Sequence, residues 1–196
     1  MNIRMMVVLV AGLSLMPVYV VADGYGGKMR EHHQEQKEKR KEYRQEEHKE
    51  NQEFHKTLKD MSPEQKMEAV KQHRAQEFEE RKAFHSKMHE ENMNALKNRL
   101  ASNTKLTDAQ KNELTSFFEN QYQENVSFRD AQHQENVEFF TKIANDPSLT
   151  MEQKKQAMRE HHKQQKSENK EHHQEQKGER KAKAQDIKAQ VNTANK

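Results

Sequence analysis

The pattern of apolar and polar positions is most regular between residues 106 and 144. Within this stretch, the run QENVSF at 123–128 returns eleven residues later as QENVEF at 134–139. Eleven residues make three turns at about 3.67 residues per turn, close to the 3.6 of an α-helix, so residues at this spacing share one face. The resulting apolar rows are Phe117, Phe128 and Phe139 in one and Val126 and Val137 in another, with Phe118 and Phe140 between them. Because these rows cover an arc of roughly 160°, the pattern predicts the central helix of a bundle, contacted from two sides.

Three short motifs divide the chain into helices. In each, a Ser or Thr follows a Met or Leu and precedes a Gln by three residues: Met61, Ser62 and Gln65; Leu106, Thr107 and Gln110; Leu149, Thr150 and Gln153. This spacing is typical of a capping box, in which the hydroxyl accepts a hydrogen bond from the backbone N–H three residues on and the Gln side chain accepts one in return. The motifs predict helices at about 28–60, 63–101, 108–144 and 151–189.

The predicted fold class is all-α, an elongated bundle of about four long antiparallel helices with eleven-residue repeats. The second helix carries its own row of Met67, Phe78, His89 and Leu100, so we expect it to form a central hairpin with the third. The first and fourth helices are more polar, and they share the run EHHQEQK at 31–37 and 171–177. We expect residues 28–189 to form a single elongated helical domain and residues 190–196 a disordered tail.

The N-terminus has the composition of a secretory signal peptide. Arg4 precedes an apolar run, and the small residues Val20 and Ala22 stand at the −3 and −1 positions of a cleavage site. The run is almost long enough for a membrane anchor, but Pro17 and the change to polar residues favour cleavage after Ala22. The sequence thus predicts a signal peptide at 1–22, a linker at 23–27, a periplasmic location and no stable membrane insertion after cleavage.

Composition narrows the classes of function. Hydrophobic residues make up only 31% of the chain and the formal net charge is +3. Long helices with mixed-charge faces fit this composition, because each needs only a stripe of apolar residues. The near balance of charges argues against a nucleic-acid binder, which usually carries a concentrated basic face. Since no nucleophile motif, phosphate loop or Gly-rich turn is present, the sequence predicts no enzymatic activity and no catalytic residues.

The motifs at the helix joints also carry a family resemblance. Leu106, Thr107 and Gln110, like Leu149, Thr150 and Gln153, match the pattern Leu-Thr-x-x-Gln, and Met61, Ser62 and Gln65 form a degenerate third copy. A secreted all-helical chain with these repeats resembles the LTxxQ family of periplasmic proteins, the Spy/CpxP type. The resemblance covers roughly residues 61–166. It implies a helical homodimer that acts as an ATP-independent chaperone in envelope stress.

A chaperone without an energy source has to hold its clients weakly, through charge first and apolar contact second. The candidate surface for unfolded or misfolded envelope proteins is the apolar face of the third helix, formed by Phe117, Phe118, Phe128, Phe139 and Phe140. The alternative for the same residues is that they are packed as core. Both interpretations hold together if one side of the helix is packed and the other lines a groove.

Histidine supports a different hypothesis. His85 and His89 are four residues apart on a predicted helix, so both rings can reach one zinc or copper ion, and the chain has twelve histidines. The alternative function is therefore a periplasmic zinc- or copper-binding protein; otherwise the histidines simply occupy polar helix positions, and no cofactor is needed. A third hypothesis is a structural helical spacer or filament subunit, which the eleven-residue repeats and the copied run EHHQEQK favour.

Overall fold

The computed structural model describes residues 26–194, and 90% of them are α-helical. The four helices are α1 (Gly26–Thr57), α2 (Pro63–Ala101), α3 (Asp108–Asn145) and α4 (Met151–Ala194), and there is no strand in this part of the chain. The all-α prediction is confirmed. α4 continues to Ala194, so residues 190–194 are helical where the sequence predicted a disordered tail. The predicted signal peptide and residues 23–25 of the predicted linker lie outside the described residues.

The three motifs at the joints cap their helices as predicted. In each, the backbone N–H of the Ser or Thr donates to the Gln side chain, and the Gln backbone N–H donates back to the hydroxyl. The backbone-to-Gln distances are 2.9 Å at Ser62, 2.9 Å at Thr107 and 2.8 Å at Thr150, and the return bond is 3.3 Å in every case. The motif therefore has a local structural role: it satisfies backbone N–H groups that a helix start otherwise leaves unpaired.

The described chain groups into two compact units. The first contains α1, α2 and residues 108–122 of α3; the second contains residues 123–145 of α3 and all of α4. Within the first unit, His32 contacts Asn92 and Asn51 contacts His73, so α1 and α2 run antiparallel. Within the second unit, Asn125 contacts Gln176 and Asn136 contacts His161, so α3 and α4 also form an antiparallel hairpin.

The buried residues are unusually polar. The buried apolar residues are Met88, Met93, Leu100, Leu106, Leu114, Phe118, Ile143 and Ile187. Alongside them lie buried polar residues, namely Gln36, Asn103, Gln110, Gln121, Asn125, His161, Gln165, Gln176 and Arg180. Buried polar groups need specific hydrogen-bond partners. Side-chain hydrogen bonds between helices therefore have a large part in fixing how these helices align. None of the described helices has a stretch apolar and long enough to cross a membrane.

Candidate functional site: an Asn-Phe-His cluster repeated between helices

One arrangement of three side chains occurs three times between antiparallel helices. An Asn and a Phe three residues apart on one helix enclose a His from the partner helix, and we call this arrangement the Asn-Phe-His cluster. The clusters are Asn51, Phe54 and His73; Asn125, Phe128 and His172; and Asn136, Phe139 and His161. The first joins α1 to α2, and the other two join α3 to α4.

The three clusters have nearly the same geometry. The imidazole lies face-on over the Phe ring, with centroids 3.8 Å apart for Phe54–His73, 4.1 Å for Phe128–His172 and 4.0 Å for Phe139–His161. The His Nε2 lies 3.1, 3.2 and 3.0 Å, in the same order, from the Asn Oδ1. Since an amide oxygen only accepts hydrogen bonds, Nε2 carries the hydrogen in each. A planar ring fixed by both stacking and a hydrogen bond defines the register of the two helices closely.

The amide of each Asn is itself held in place. Asn136 Nδ2 donates to the Gln132 carbonyl at 2.8 Å, and Asn125 Nδ2 donates to Gln176 Oε1 at 2.6 Å. Asn51 Nδ2 donates to the Glu47 carbonyl at 2.9 Å and also to Glu77. These bonds turn the amide oxygen towards the histidine. The cluster is thus a connected network of hydrogen bonds rather than an isolated pair. It therefore favours one alignment of the two helices more strongly than a single hydrogen bond would.

The residue four positions after each histidine extends the cluster along the partner helix. It is Glu77 after His73, Gln165 after His161 and Gln176 after His172. Gln165 donates to the Gln132 carbonyl at 3.4 Å, and Gln176 accepts from Asn125. Residues four apart lie one above the other on a helix, so each pair presents two polar contacts to the neighbouring helix.

Two further contacts between helices are related to these clusters. Tyr43 and Phe84, each eleven residues from a member of the Asn51 cluster, stack with centroids 4.1 Å apart. In α2 and the first part of α3, His89 stacks on Tyr122 at 3.6 Å, and its Nε2 lies 2.9 Å from Glu119 Oε2, so Glu takes the place of Asn.

The copied run EHHQEQK has an equivalent role in both of its positions. In α1, His32 Nε2 bonds Asn92 Oδ1 at 2.9 Å and Gln36 donates to Glu91 at 2.6 Å. In α4, the corresponding residues His172 and Gln176 both bond Asn125. In each copy, the first His of the pair and the Gln four residues later face the neighbouring helix. The copied sequence therefore encodes a contact through these two positions, while its other five residues are exposed in both copies.

Two ion pairs join α1 to α2. Lys39 donates to Glu91 at 2.7 Å, and Arg81 donates to Glu47 at 3.0 Å. The hydrogen bond from Lys39 holds the pKa of Glu91 below its ordinary value; partial burial opposes this shift, and the bond from Gln36 adds to it. Between α3 and α4 the corresponding contacts to Asn125 and Gln132 are neutral.

The five Phe residues predicted to bind clients lie in different surroundings. Phe118 is buried at 6% exposure, and Phe117 lies edge-on to it at 5.4 Å. Phe128 and Phe139 are half-buried beneath histidines of α4, and Phe140 lies edge-on to His161 at 6.2 Å. Phe128, Phe139 and Phe140 thus form one aromatic face on α3 that α4 covers. For these three residues, the structure matches the second interpretation of the sequence, in which they are packed against another helix.

The predicted metal ligands do not form part of a larger set of ligands. His89 is engaged by Tyr122 and Glu119 as described, and the ring of His85 lies edge-on to Phe84 at 5.9 Å. In residues 26–194 no group of three or more His, Cys, Asp or Glu side chains is arranged to hold a metal ion. A two-histidine site at His85 and His89 stays a prediction.

Sequence reasoning missed the clusters although the signal was present. The pattern Asn-x-x-Phe occurs at 51–54, 125–128 and 136–139, the last two inside the recognised eleven-residue repeat. His161 and His172 are themselves eleven residues apart. Pairing the two periodic patterns would have found both clusters of the α3–α4 hairpin. No protein-family model, curated protein or solved structure matches this chain.

Proposed function

We propose that this protein is a periplasmic, ATP-independent chaperone that holds unfolded or misfolded envelope proteins, as its resemblance to the Spy/CpxP type implies. The observation that carries the proposal is the aromatic face of α3. Phe128, Phe139 and Phe140 are only half-buried, and the side chains of α4 that cover them are mainly polar. An apolar surface covered by polar contacts suits weak, reversible binding.

The charge of the chain supports the same proposal. Charged residues make up 34% of the sequence, and the two signs nearly cancel. Such a surface attracts segments of either sign at short range without binding one class of polyanion tightly. Among the described residues, the exposed large apolar side chains are Met67, Val137, Met151 and Met158, which offer some further apolar contact to a client.

A specific observation also favours a structural helical spacer as a second candidate. The Asn-Phe-His clusters fix the register of two hairpins by directed hydrogen bonds, which is what a rigid spacer requires. A spacer has no reason to bind unfolded chains, so one assay separates the two candidates.

The test is light scattering by a chemically denatured client diluted into buffer with the purified protein and no nucleotide. We expect near-stoichiometric suppression of aggregation that weakens as salt is added, because the first encounter depends on screened charge. EDTA should have no effect, which distinguishes holding from metal capture. Absence of suppression at about tenfold excess over the client would overturn the chaperone proposal and leave the spacer.

A further inference from the structure

Helices α3 and α4 carry opposite charge imbalances, and this sets their hairpin apart. α3 has seven acidic and three basic residues, whereas α4 has eleven basic and seven acidic residues. α1 and α2 are each nearly neutral, with nine basic against eight acidic and eight basic against seven acidic residues. Residues 123–145 of α3, which lie in the same compact unit as α4, have four acidic and two basic residues, so this part of the hairpin is supported by a broad attraction between opposite charges in addition to its individual contacts.

Along residues 161–176 of α4, the contacts to this face of α3 include planar polar side chains, together with the pair of His161 and Glu135, whose side chains lie 3.8 Å apart. His172 and His161 stack on Phe128 and Phe139, and Gln176 and Gln165 bond the Asn125 side chain and a backbone carbonyl. Each such hydrogen bond is replaceable by water when the helices separate, so its net contribution is small. Separation of α4 would leave the aromatic face of α3 open to another chain.

We propose that α4 is a displaceable strap, and that the face of α3 beneath it takes a basic client segment with planar side chains. This rests on the proposed chaperone function and names the client chemistry. α4 itself indicates what fits: a net positive segment offers charge complementarity to α3, and imidazole, aromatic or amide groups stack on Phe128 and Phe139 and bond Asn125 and Asn136. A client binds there by replacing α4, and α4 returns when the client folds.

The absence of cysteine allows a direct test. Gln132→Cys with Gln165→Cys places two thiols where α3 and α4 already touch, since the Gln165 side chain lies 3.4 Å from the Gln132 carbonyl. A short bismaleimide then cross-links the two thiols, so that α4 cannot separate from α3. Glu47→Cys with Arg81→Cys, at the 3.0 Å ion pair, bridges α1 to α2 and serves as the matched control. Both double variants are also measured with blocked thiols, and circular dichroism checks that they stay helical.

The readout is suppression of aggregation of a basic client, reduced lysozyme, and of an acidic one, reduced α-lactalbumin. Bridging α3 to α4 should raise the amount of protein needed for half suppression of the basic client by about tenfold or more, because the binding-competent state is removed. Bridging α1 to α2 should leave that amount unchanged. Full activity with the α3–α4 bridge closed would overturn the strap proposal while leaving the chaperone proposal standing.

A second measurement does not depend on chaperone activity. A fluorescent peptide with the sequence of residues 154–177 should bind the protein, and Gln176→Ala, which removes the bond from α4 to Asn125, should tighten that binding by about fivefold. The closed α3–α4 bridge should abolish it. No peptide binding to the Gln176→Ala variant overturns the strap. Bridges that form mainly between two chains, seen as dimers on a denaturing gel, would make a second copy the occupant and would also overturn it.

Discussion

The α1–α2 and α3–α4 hairpins use the same cluster of side chains but are reinforced differently. Between α1 and α2, the Asn51 cluster is accompanied by the ion pairs Lys39–Glu91 and Arg81–Glu47, while the two helices are each close to neutral. Between α3 and α4, the Asn125–Gln176 contact joins two uncharged amides, His161 lies 3.8 Å from Glu135, and residues 123–145 of α3 carry the opposite net charge to α4.

The difference concerns how specifically each helix recognises the other helix of its hairpin. An ion pair such as Arg81–Glu47 requires opposite charges at matching positions along the two helices, so it favours the matching helix over others. A general charge imbalance accepts any segment of the opposite sign. By this criterion the ion pairs of α1 and α2 are specific to those two helices, and the exchange of a partner helix that we propose concerns α3 and α4.

The largest effect is expected from removing the aromatic ring of a cluster. Phe139→Ala and Phe54→Ala should each destabilise their own hairpin by about 2 kcal/mol, less than for a fully buried Phe because both rings are half-buried. Hydrogen exchange, read separately over α1–α2 and α3–α4, measures the loss. Val137→Ala is the control, since that side chain is 41% exposed and has no ring with which to stack on a histidine. Equal losses for Phe139→Ala and Val137→Ala would contradict the cluster's role.

A smaller effect is expected at the helix caps. Thr107→Ala and Thr150→Ala should each cost about 1 kcal/mol through loss of the capping hydroxyl. The loss at Thr107 should be the larger, because its partner Gln110 is buried at 8% exposure whereas Gln153 is exposed, and a buried backbone N–H left unpaired costs more. Thermal unfolding midpoints compare the two, and Thr107→Ser, which keeps the hydroxyl, should restore most of the stability. Unchanged midpoints in both alanine variants would refute the capping role.

The smallest effect concerns pH and tests the ion pairs that join α1 to α2. The Lys39 hydrogen bond keeps the pKa of Glu91 below its ordinary value in the folded protein. Ionised Glu91 therefore stabilises the α1–α2 hairpin above the unfolded pKa of roughly 4.3, and this contribution is lost as pH falls through the lowered folded value. The contribution should be below about 1 kcal/mol, since the Lys39 side chain is 43% exposed and its charge is screened by solvent.

Urea unfolding of the wild type and of Glu91→Gln, at neutral pH and at pH about 3, isolates this contribution. The two proteins should differ at neutral pH and converge in acid. The matched control is Gln176→Ala in the α3–α4 hairpin, whose difference from the wild type should change less with pH than that of Glu91→Gln, because neither amide of the Gln176–Asn125 bond titrates. A Glu91→Gln difference that persists in acid would show that the side chain contributes by packing instead of charge.

The fold was largely predictable from the sequence, and the candidate site was predictable only in part. The starts of α2, α3 and α4 follow from capping boxes that act within five residues, so local chemistry was sufficient to place them. The aromatic positions of α3 followed from the eleven-residue period. The period did not predict which face of α3 is covered. Phe128 and Phe139 meet His172 and His161, which lie far along the chain in sequence.

The histidines illustrate the same limit. From the sequence, His85 and His89 suggested a metal site because residues four apart share a helix face. In the fold, His89 also meets Tyr122 and Glu119 of α3, and this contact depends on how the two helices align. Spacing along one helix shows which side chains are able to converge. It does not show which side chains of another helix reach them first.

The sequence by itself determined the helices, their ends and the eleven-residue rows, because caps and helical periodicity are properties of short stretches of chain. Only the tertiary structure decided that these rows meet through Asn-Phe-His clusters, and that the copied run EHHQEQK faces inward at His32 and at His172. The physical reason is that each cluster takes residues from two helices. Its hydrogen bonds exist only after an antiparallel register has been chosen, and no single helix contains the information to choose it.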